Sequence, residues 1–596
     1  MTDKSRTAQE VDHEQVKRTL AEITEKSQRL VKDFLSREQS ANHISMDDAM
    51  HMSGMFQQLA TRIMANPMQL AQAQISFWHD YLALVNQATL RFWGQEVEPL
   101  KTPQKGDKRF RHQAWEENPV FDFVKQSYLL AADYIHATVK NAEGLDDKTA
   151  RKVDFFTRQF VDALSPTNFL ATNPEVLEKT LETNGANLLN GLNNMLRDLE
   201  AGGGKLRISM TDHSKFEVGN NLAVSPGKVI YQNDLIQLLQ YEPATEKVYK
   251  RPLLFVPPWI NKFYILDLQQ ENSMIKYMVE QGHTVFVISW RNPTGEHADK
   301  TFEDYMMEGP LAALDAVEQA TGERDVNCVG YCLGGTLMGT ALAYMAEKGD
   351  DRVKSITYFT AMVDFTMPGE LENFIDDEQL RMLEKRMEGQ GYLEGHAMAS
   401  TMSALRANDL IWSFFINNYL KGEEPFPFDL LYWNQDSTNM PAKMHSYYLR
   451  NMYQENKLKE PGGVVIDGVP IDLRKITIPA CFVSAMEDHI APWKTVYRGV
   501  HLHSGQIKFI LGGSGHIAGI INPPHKNKYC YWTSTKTPEN PEEWLEGAKC
   551  SDGSWWPEWN RWLVRRAGAK VPARQPGDGK LEPLMDAPGS YVMEKA

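Results

Sequence analysis

The sequence predicts an α/β catalytic fold, a mostly parallel sheet covered by helices, preceded by an all-α N-terminal domain. Three observations lead there. From residue 9 to about 215, apolar residues recur at three- and four-residue intervals with no alternating run. Beyond that point, short apolar runs alternate with helix-length segments. One of those runs ends in a glycine-flanked cysteine that leads straight into a helical pattern. A chain of 596 residues, 42% hydrophobic, can bury more than one core, because single cores stop growing near ~250–300 residues. Two domains are therefore expected, 1–215 and 216–596.

In the helical half, Leu70, Ile75, Trp78, Leu82, Val85 and Phe92 fall on one stripe, with Met46, Met50, Met52 and Met55 upstream. Such a stripe serves helix packing, or a sticky face for an apolar particle, a dimer mate or a helical partner. Ala201-Gly202-Gly203-Gly204-Lys205 then breaks the pattern and reads as a flexible connection, without the spacing of a phosphate-binding Walker loop.

Six strands are expected after the break: Leu253 to Val256, Thr284 to Trp290, Asn327 to Tyr331, Ile356 to Thr360, Ala480 to Ser484 and Ile507 to Leu511. Helix-length segments between them imply a mostly parallel sheet covered by helices. Between the fourth and fifth lies an aromatic- and Met-rich insertion, about 365–475, far longer than an ordinary connection and expected to form a cap or lid. The charged first forty residues and the Pro/Gly-containing tail beyond Ala567 are expected to be mobile.

Composition excludes several functions. A formal charge of −15 repels phosphate backbones, so nucleic acid is not an expected partner. No secretory leader pattern and no run of ~18 apolar residues occur, so no transmembrane segment is expected. Five cysteines, Cys328, Cys332, Cys481, Cys530 and Cys550, are too sparse for a disulfide framework and lack metal-site spacing, which fits a reducing cytoplasm.

Val329-Gly330-Tyr331-Cys332-Leu333-Gly334-Gly335 has the strand, tight turn and helix context of a nucleophile elbow. The nucleophile there sits at a strained backbone angle, and the glycines let strand and helix approach. The Leu333 N–H would face an oxyanion, and the positive end of the helix would favour a thiolate. Taken alone, the pattern is also that of a glycine turn with a small buried hydrophobe. Two further residues follow in the order this scaffold needs. Asp488, in Ser484-Ala485-Met486-Glu487-Asp488-His489, follows the fifth strand, and His516, in Gly512-Gly513-Ser514-Gly515-His516, follows the sixth. Singly, these would be a capping Asp and a surface His; together with Cys332 they form a Cys-His-Asp set on an α/β-hydrolase-type scaffold. Glu487 and His489 are the rivals for their neighbours' roles. Cys328 and Cys481 lie in expected strands as core thiols, and Cys530 and Cys550 lack a basic partner. A sulfur nucleophile suits thioester substrates, since one thioester replaces another with little change in bond energy.

These residues resemble one family, the polyhydroxyalkanoate synthases of the long single-chain, class I type, from about residue 110 to the end. The likeness rests on the elbow and on Val256-Pro257-Pro258-Trp259-Ile260-Asn261-Lys262, Ser289-Trp290-Arg291-Asn292-Pro293, Phe428-Asp429-Leu430-Leu431-Tyr432-Trp433-Asn434, Gly515-His516-Ile517-Ala518-Gly519 and Gly553-Ser554-Trp555-Trp556-Pro557. Phe169-Leu170-Ala171-Thr172-Asn173-Pro174 carries it into the helical half. It departs at Thr294, where family members often carry Asp.

The resemblance implies polymerisation of (R)-3-hydroxyacyl groups from coenzyme A (CoA) thioesters into a polyester with release of free CoA, through an acyl-cysteine on Cys332 with His516 and Asp488. No metal or redox cofactor is implied. Backbone N–H groups of Leu333 and, near Trp259, Ile260 would hold the oxyanion. Arg406 is a candidate contact for CoA phosphates, or equally a surface ion pair; Trp259 and His489 are further candidate substrate contacts. The cap would keep water from the acyl-cysteine. A homodimer, a growing polyester chain and the surface of cytoplasmic polyhydroxyalkanoate granules are the implied partners. The competing readings are a cysteine-type thioesterase or hydrolase of the same fold, and a granule-coating structural protein.

Overall fold

The structure, a computed structural model, describes residues 59, 67–142 and 145–596. Met46, Met50, Met52, Met55 and the charged first forty residues lie outside the described residues. The chain divides into two compact units: Met1–Asp212 with Arg406–Pro427, and His213–Leu405 with Phe428–Ala596.

The described part of the first unit is helical: α1 Pro67–Phe92, α2 Pro119–Lys140, α3 Asp147–Ala163, α4 Pro174–Glu182 and α5 Ala186–Ala201. Local chemistry sets the starts. Asn118 and Asn173 each precede a proline, and their side chains accept from the next free backbone N–H groups of α2 and α4, while Asp146 does the same for α3. The Gly202–Gly204 run is a helix stop, not the flexible connection expected: Gly203 N–H donates to Glu200 O at 3.0 Å and Gly204 N–H to Leu199 O at 2.8 Å. These two bonds form a Schellman cap, and the positive φ of Gly203 and Gly204 requires glycine. Gly191 of α5 lets the 415–420 segment approach, since a Cβ there would sit 1.8 Å from Tyr419 O.

The α1 stripe faces solvent. Ile75, Trp78, Leu82, Val85 and Phe92 are exposed, Trp78 at 58% and Phe92 at 72%, and Leu70 is half-buried, which overturns the helix-packing reading. The helix buries another face: Leu84 is 1% exposed, and Phe77 and Tyr81 pack on Tyr134 and Phe123 of α2 at 4.9 and 6.3 Å. Phe77, Tyr81 and Leu84 follow the same i, i+4, i+7 spacing, so periodicity alone offered two apolar faces.

The second unit is built on an eleven-stranded sheet. Its strands are β1 Gly227–Gln232, β2 Ile236–Tyr241, β3 Leu253–Val256, β4 Val285–Trp290, β5 Val326–Tyr331, β6 Val353–Phe359, β7 Ala480–Ala485, β8 Ile507–Gly512, β9 Cys530–Thr533, β10 Lys549–Asp552 and β11 Met585–Asp586. They run in the order β10-β9-β8-β7-β6-β5-β3-β4-β2-β1-β11. The six expected strands are the parallel centre, β3 to β8. The sheet then continues antiparallel on both sides, through β2, β1 and β11 and through β9 and β10, which the apolar-run criterion missed. β2, Ile-Gln-Leu-Leu-Gln-Tyr, is buried along its whole length with two glutamines inside, so its polar residues hid it.

The tail beyond Ala567 is packed, contrary to expectation. Leu584 N–H donates to Val229 O at 2.8 Å, Tyr591 and Val592 are buried, and the buried Gln237 amide oxygen accepts from the N–H groups of Ser590 and Tyr591, each at 3.0 Å. Lys262 Nζ, almost fully buried, donates to Glu594 O at 2.6 Å. A buried amide and a buried ammonium each need a partner, and the tail supplies both. Thr294 caps the turn Gly295–His297, a role Asp fills equally well, so its departure from the family pattern costs no local structure.

Candidate active site

The parallel strands end on one side of the sheet, and three of them deliver the expected residues there. β5 runs into Cys332 at φ 52°, ψ −121°, and α6, Leu333–Lys348, begins at the next residue. A Cβ on Gly334 would lie 2.0 Å from Val256 O, and one on Gly330 would lie 2.5 Å from the Gly335 Cα. The elbow closes only because both are glycine. Cys332 is half-buried and its N–H donates to Phe359 O at 2.9 Å. Leu333 opens α6, so its N–H belongs to the set that a helix leaves without an internal acceptor.

The loops after β7 and β8 are tied together by Met486 N–H to Gly512 O and Glu487 N–H to Ser514 O, both 2.8 Å. This brings His516 Nδ1 to 2.7 Å from Asp488 Oδ2, and the other carboxylate oxygen accepts from the N–H groups of Ile490 and Ala491, each at 2.9 Å. A carboxylate only accepts, so Nδ1 donates and Nε2 is left for the cysteine. The Cys332 sulfur also interacts electrostatically with the His516 ring. Burial opposes charge on this ring, but the Asp488 carboxylate and the Cys332 sulfur outweigh it and raise the imidazole to about 10. The Tyr331 ring stacks on His516 at 5.9 Å.

Ile260 is half-buried in a loop held from several directions. Its carbonyl accepts from Thr438 N–H at 3.4 Å, Trp259 O accepts from Thr438 Oγ1 at 2.5 Å, and Lys262 O accepts from Trp433 Nε1 at 2.7 Å. Trp259 is 2% exposed, among the rings of Trp290, Phe302, Tyr305 and Tyr448, and its Nε1 finds no hydrogen-bond partner among the described residues. His489 is half-buried beside Asp488, outside the Asp488–His516 bond, and Glu487 is exposed. Arg406 belongs to the first unit, where it pairs with Asp409 at 2.8 Å. The core thiols Cys328 and Cys481 are buried, and burial pushes both well above the ordinary thiol range. Among the described residues no three His, Cys, Asp or Glu side chains gather as metal ligands would. No described helix is long and apolar enough to cross a membrane.

Sequence reasoning missed Tyr448 and Tyr453, whose hydroxyls interact electrostatically with Cys332. The insertion's aromatic content was the only signal, and nothing in it singled out these two rings.

Known proteins resemble this chain over most of its length. The family profile described as the N-terminus of poly-beta-hydroxybutyrate polymerase (PhaC) matches residues 106–278, and that of the alpha/beta hydrolase fold matches 251–523. The poly(3-hydroxyalkanoate) polymerase subunit PhaC of Rhizobium meliloti (strain 1021) is 50% identical over 533 residues, covering 89% of this chain and 87% of that protein. The poly(3-hydroxyalkanoate) polymerase of Methylorubrum extorquens is 50% identical over 532 residues, 89% of this chain and 88% of that one. The PhaC subunit of Cupriavidus necator is 43% identical over 537 residues, 89% of each.

Proposed function

Because the chain belongs to the poly(3-hydroxyalkanoate) polymerase family, a family of acyl-transferring enzymes, we propose that it builds its polyester from (R)-3-hydroxyacyl-CoA thioesters by way of an acyl group carried on Cys332. The observation that carries this reading is the 2.7 Å bond from His516 to Asp488, on a ring that also interacts electrostatically with the elbow sulfur.

His516 Nε2 takes the proton of Cys332, and the thiolate adds to the thioester carbonyl. The Leu333 N–H and a second backbone donor at Ile260 hold the oxyanion. Collapse expels CoA, which takes the proton back from His516 and leaves the acyl-cysteine. A 3-hydroxyl then loses its proton to His516 and attacks the acyl carbon, forming the ester bond and returning the sulfur. Asp488 holds the Nδ1–H tautomer throughout and stabilises the imidazolium. In this reading residues 216–596 are the catalytic domain and the 365–475 insertion is its cap, apart from Arg406–Pro427, which pack with the first unit, and 1–215 is a separate helical domain. Arg406, Trp259 and His489 contact substrate, and the enzyme works as a homodimer at the surface of cytoplasmic polyester granules.

Incubation with 3-hydroxybutyryl-CoA tests this. Free CoA with insoluble polymer is expected from the wild type, and neither from Cys332→Ala with unchanged circular dichroism. Free CoA with soluble 3-hydroxy acid would mean a hydrolase, and no CoA release would mean a coat protein.

A further inference from the structure

The insertion between β6 and β7 brings two phenol groups to the nucleophile. α7, Ala442–Tyr448, widens at its end into a π turn, Leu449–Gln454. Residues five apart in an α-helix point about 140° away from each other. A π turn, bonded i to i+5, brings them back to nearly one side. Tyr448 and Tyr453 therefore stand together, with ring centroids 5.7 Å apart. Phe365 packs on both, at 6.2 and 5.1 Å.

Both hydroxyls interact electrostatically with Cys332. Tyr448 is buried, whereas Tyr453 is half-buried and interacts with both Cys332 and Asp488. Burial holds both phenols well above their usual range, so each remains an O–H donor.

We propose that Tyr453 binds the attacking 3-hydroxyl, donating to its oxygen while that hydroxyl's own proton points at His516, and that Tyr448, packed against it, positions Tyr453. This rests on the acyl-cysteine reading above. Each phenol has one proton to donate. The Tyr453 proton is the one given, in a hydrogen bond, to the attacking oxygen. As the step proceeds, the hydroxyl proton passes to His516 Nε2, the C–O bond forms at the acyl carbon and the C–S bond to Cys332 breaks. The sulfur leaves as a thiolate beside the imidazolium. Tyr453 keeps its proton, and its bond tightens as the attacking oxygen gains negative charge, which stabilises the transition state more than the bound substrate.

Two substrates separate the steps. Butyryl-CoA can acylate Cys332 but carries no hydroxyl to extend the chain, so its CoA burst reads acylation alone. 3-Hydroxybutyryl-CoA in steady state reads elongation. Tyr453→Phe is expected to lower the ratio of elongation to acylation about ten- to a hundredfold, and Tyr448→Phe to lower the same ratio by a smaller factor. The ratio is independent of how much of each preparation is folded. Equal slowing of both reactions, or an unchanged ratio, overturns the proposal. Cys332→Ala keeps the two ideas apart. A burst that survives this change defeats the acyl-cysteine reading itself, while a lost burst with an unchanged Tyr453→Phe ratio defeats only the tyrosine's role.

Discussion

Asp488 Oδ2 accepts a 2.7 Å hydrogen bond from His516 Nδ1, and the Asp488 side chain has no solvent exposure. Its other oxygen is already bound by two backbone N–H groups, so the carboxylate has one fixed orientation and the ring inherits it.

Asp488→Asn keeps the shape but removes the charge that favours the imidazolium and the acceptor that selects the tautomer. CoA release is expected to fall by a factor of about 10² to 10⁴ with substrate KM little changed. A loss below tenfold would mean that His516 is not the working base.

The same pair makes stability depend on pH. His516 is raised from 6.5 to about 10, so its contribution is complete below about pH 6.5 and is lost as pH rises through about 10. Denaturant unfolding of wild type and Asp488→Asn between pH 6 and 10.5 should show the wild-type advantage shrinking across that window. A flat difference would rule out a charged pair.

Gly334→Ala pushes a methyl group to 2.0 Å from Val256 O, against backbone that cannot step aside. A loss of about 3 kcal/mol or more is expected, with activity abolished. Gly349→Ala, where the new Cβ meets open space at φ 71°, should cost only about 1 kcal/mol of backbone strain. Urea midpoints compare the two directly.

Trp78→Gln and Phe92→Gln alter exposed rings and are expected to change unfolding free energy by no more than about 0.5 kcal/mol. Leu84→Ala, on the buried face of the same helix, should cost about 2–5 kcal/mol. The reverse ranking would show that the stripe is the packing face after all.

Deleting residues 589–596 strips the buried Lys262 ammonium of its carbonyl acceptor and the buried Gln237 of its tail partners. The expected loss is at least about 3 kcal/mol, visible as a lowered thermal midpoint. Unchanged stability would mean that the tail does not hold the Lys262 loop.

Much of this molecule is written locally. The parallel strands are legible because a strand buried on both faces must be a continuous apolar run, and the elbow because only glycine tolerates 2.0 Å to a carbonyl oxygen at position 334. The order cysteine, aspartate, histidine, each just past a strand, was likewise readable, since strand ends are where a parallel sheet collects its functional loops. The antiparallel strands were not, because β1, β2 and β9 to β11 interrupt the apolar pattern with polar residues.

Tertiary structure alone decided the remainder. Which of two apolar faces α1 buries depends on where α2 lies, and both faces share the same spacing. Tyr448 and Tyr453 meet only because the helix widens into a π turn between them, and a 3.6-residue period assigns them to different sides. The tail is ordered because distant buried groups, Gln237 and Lys262, need its backbone as a partner. Sequence by itself determined which residues could do the chemistry; the fold determined which of them share a hydrogen bond, because the loops that carry them meet only when their strands pair.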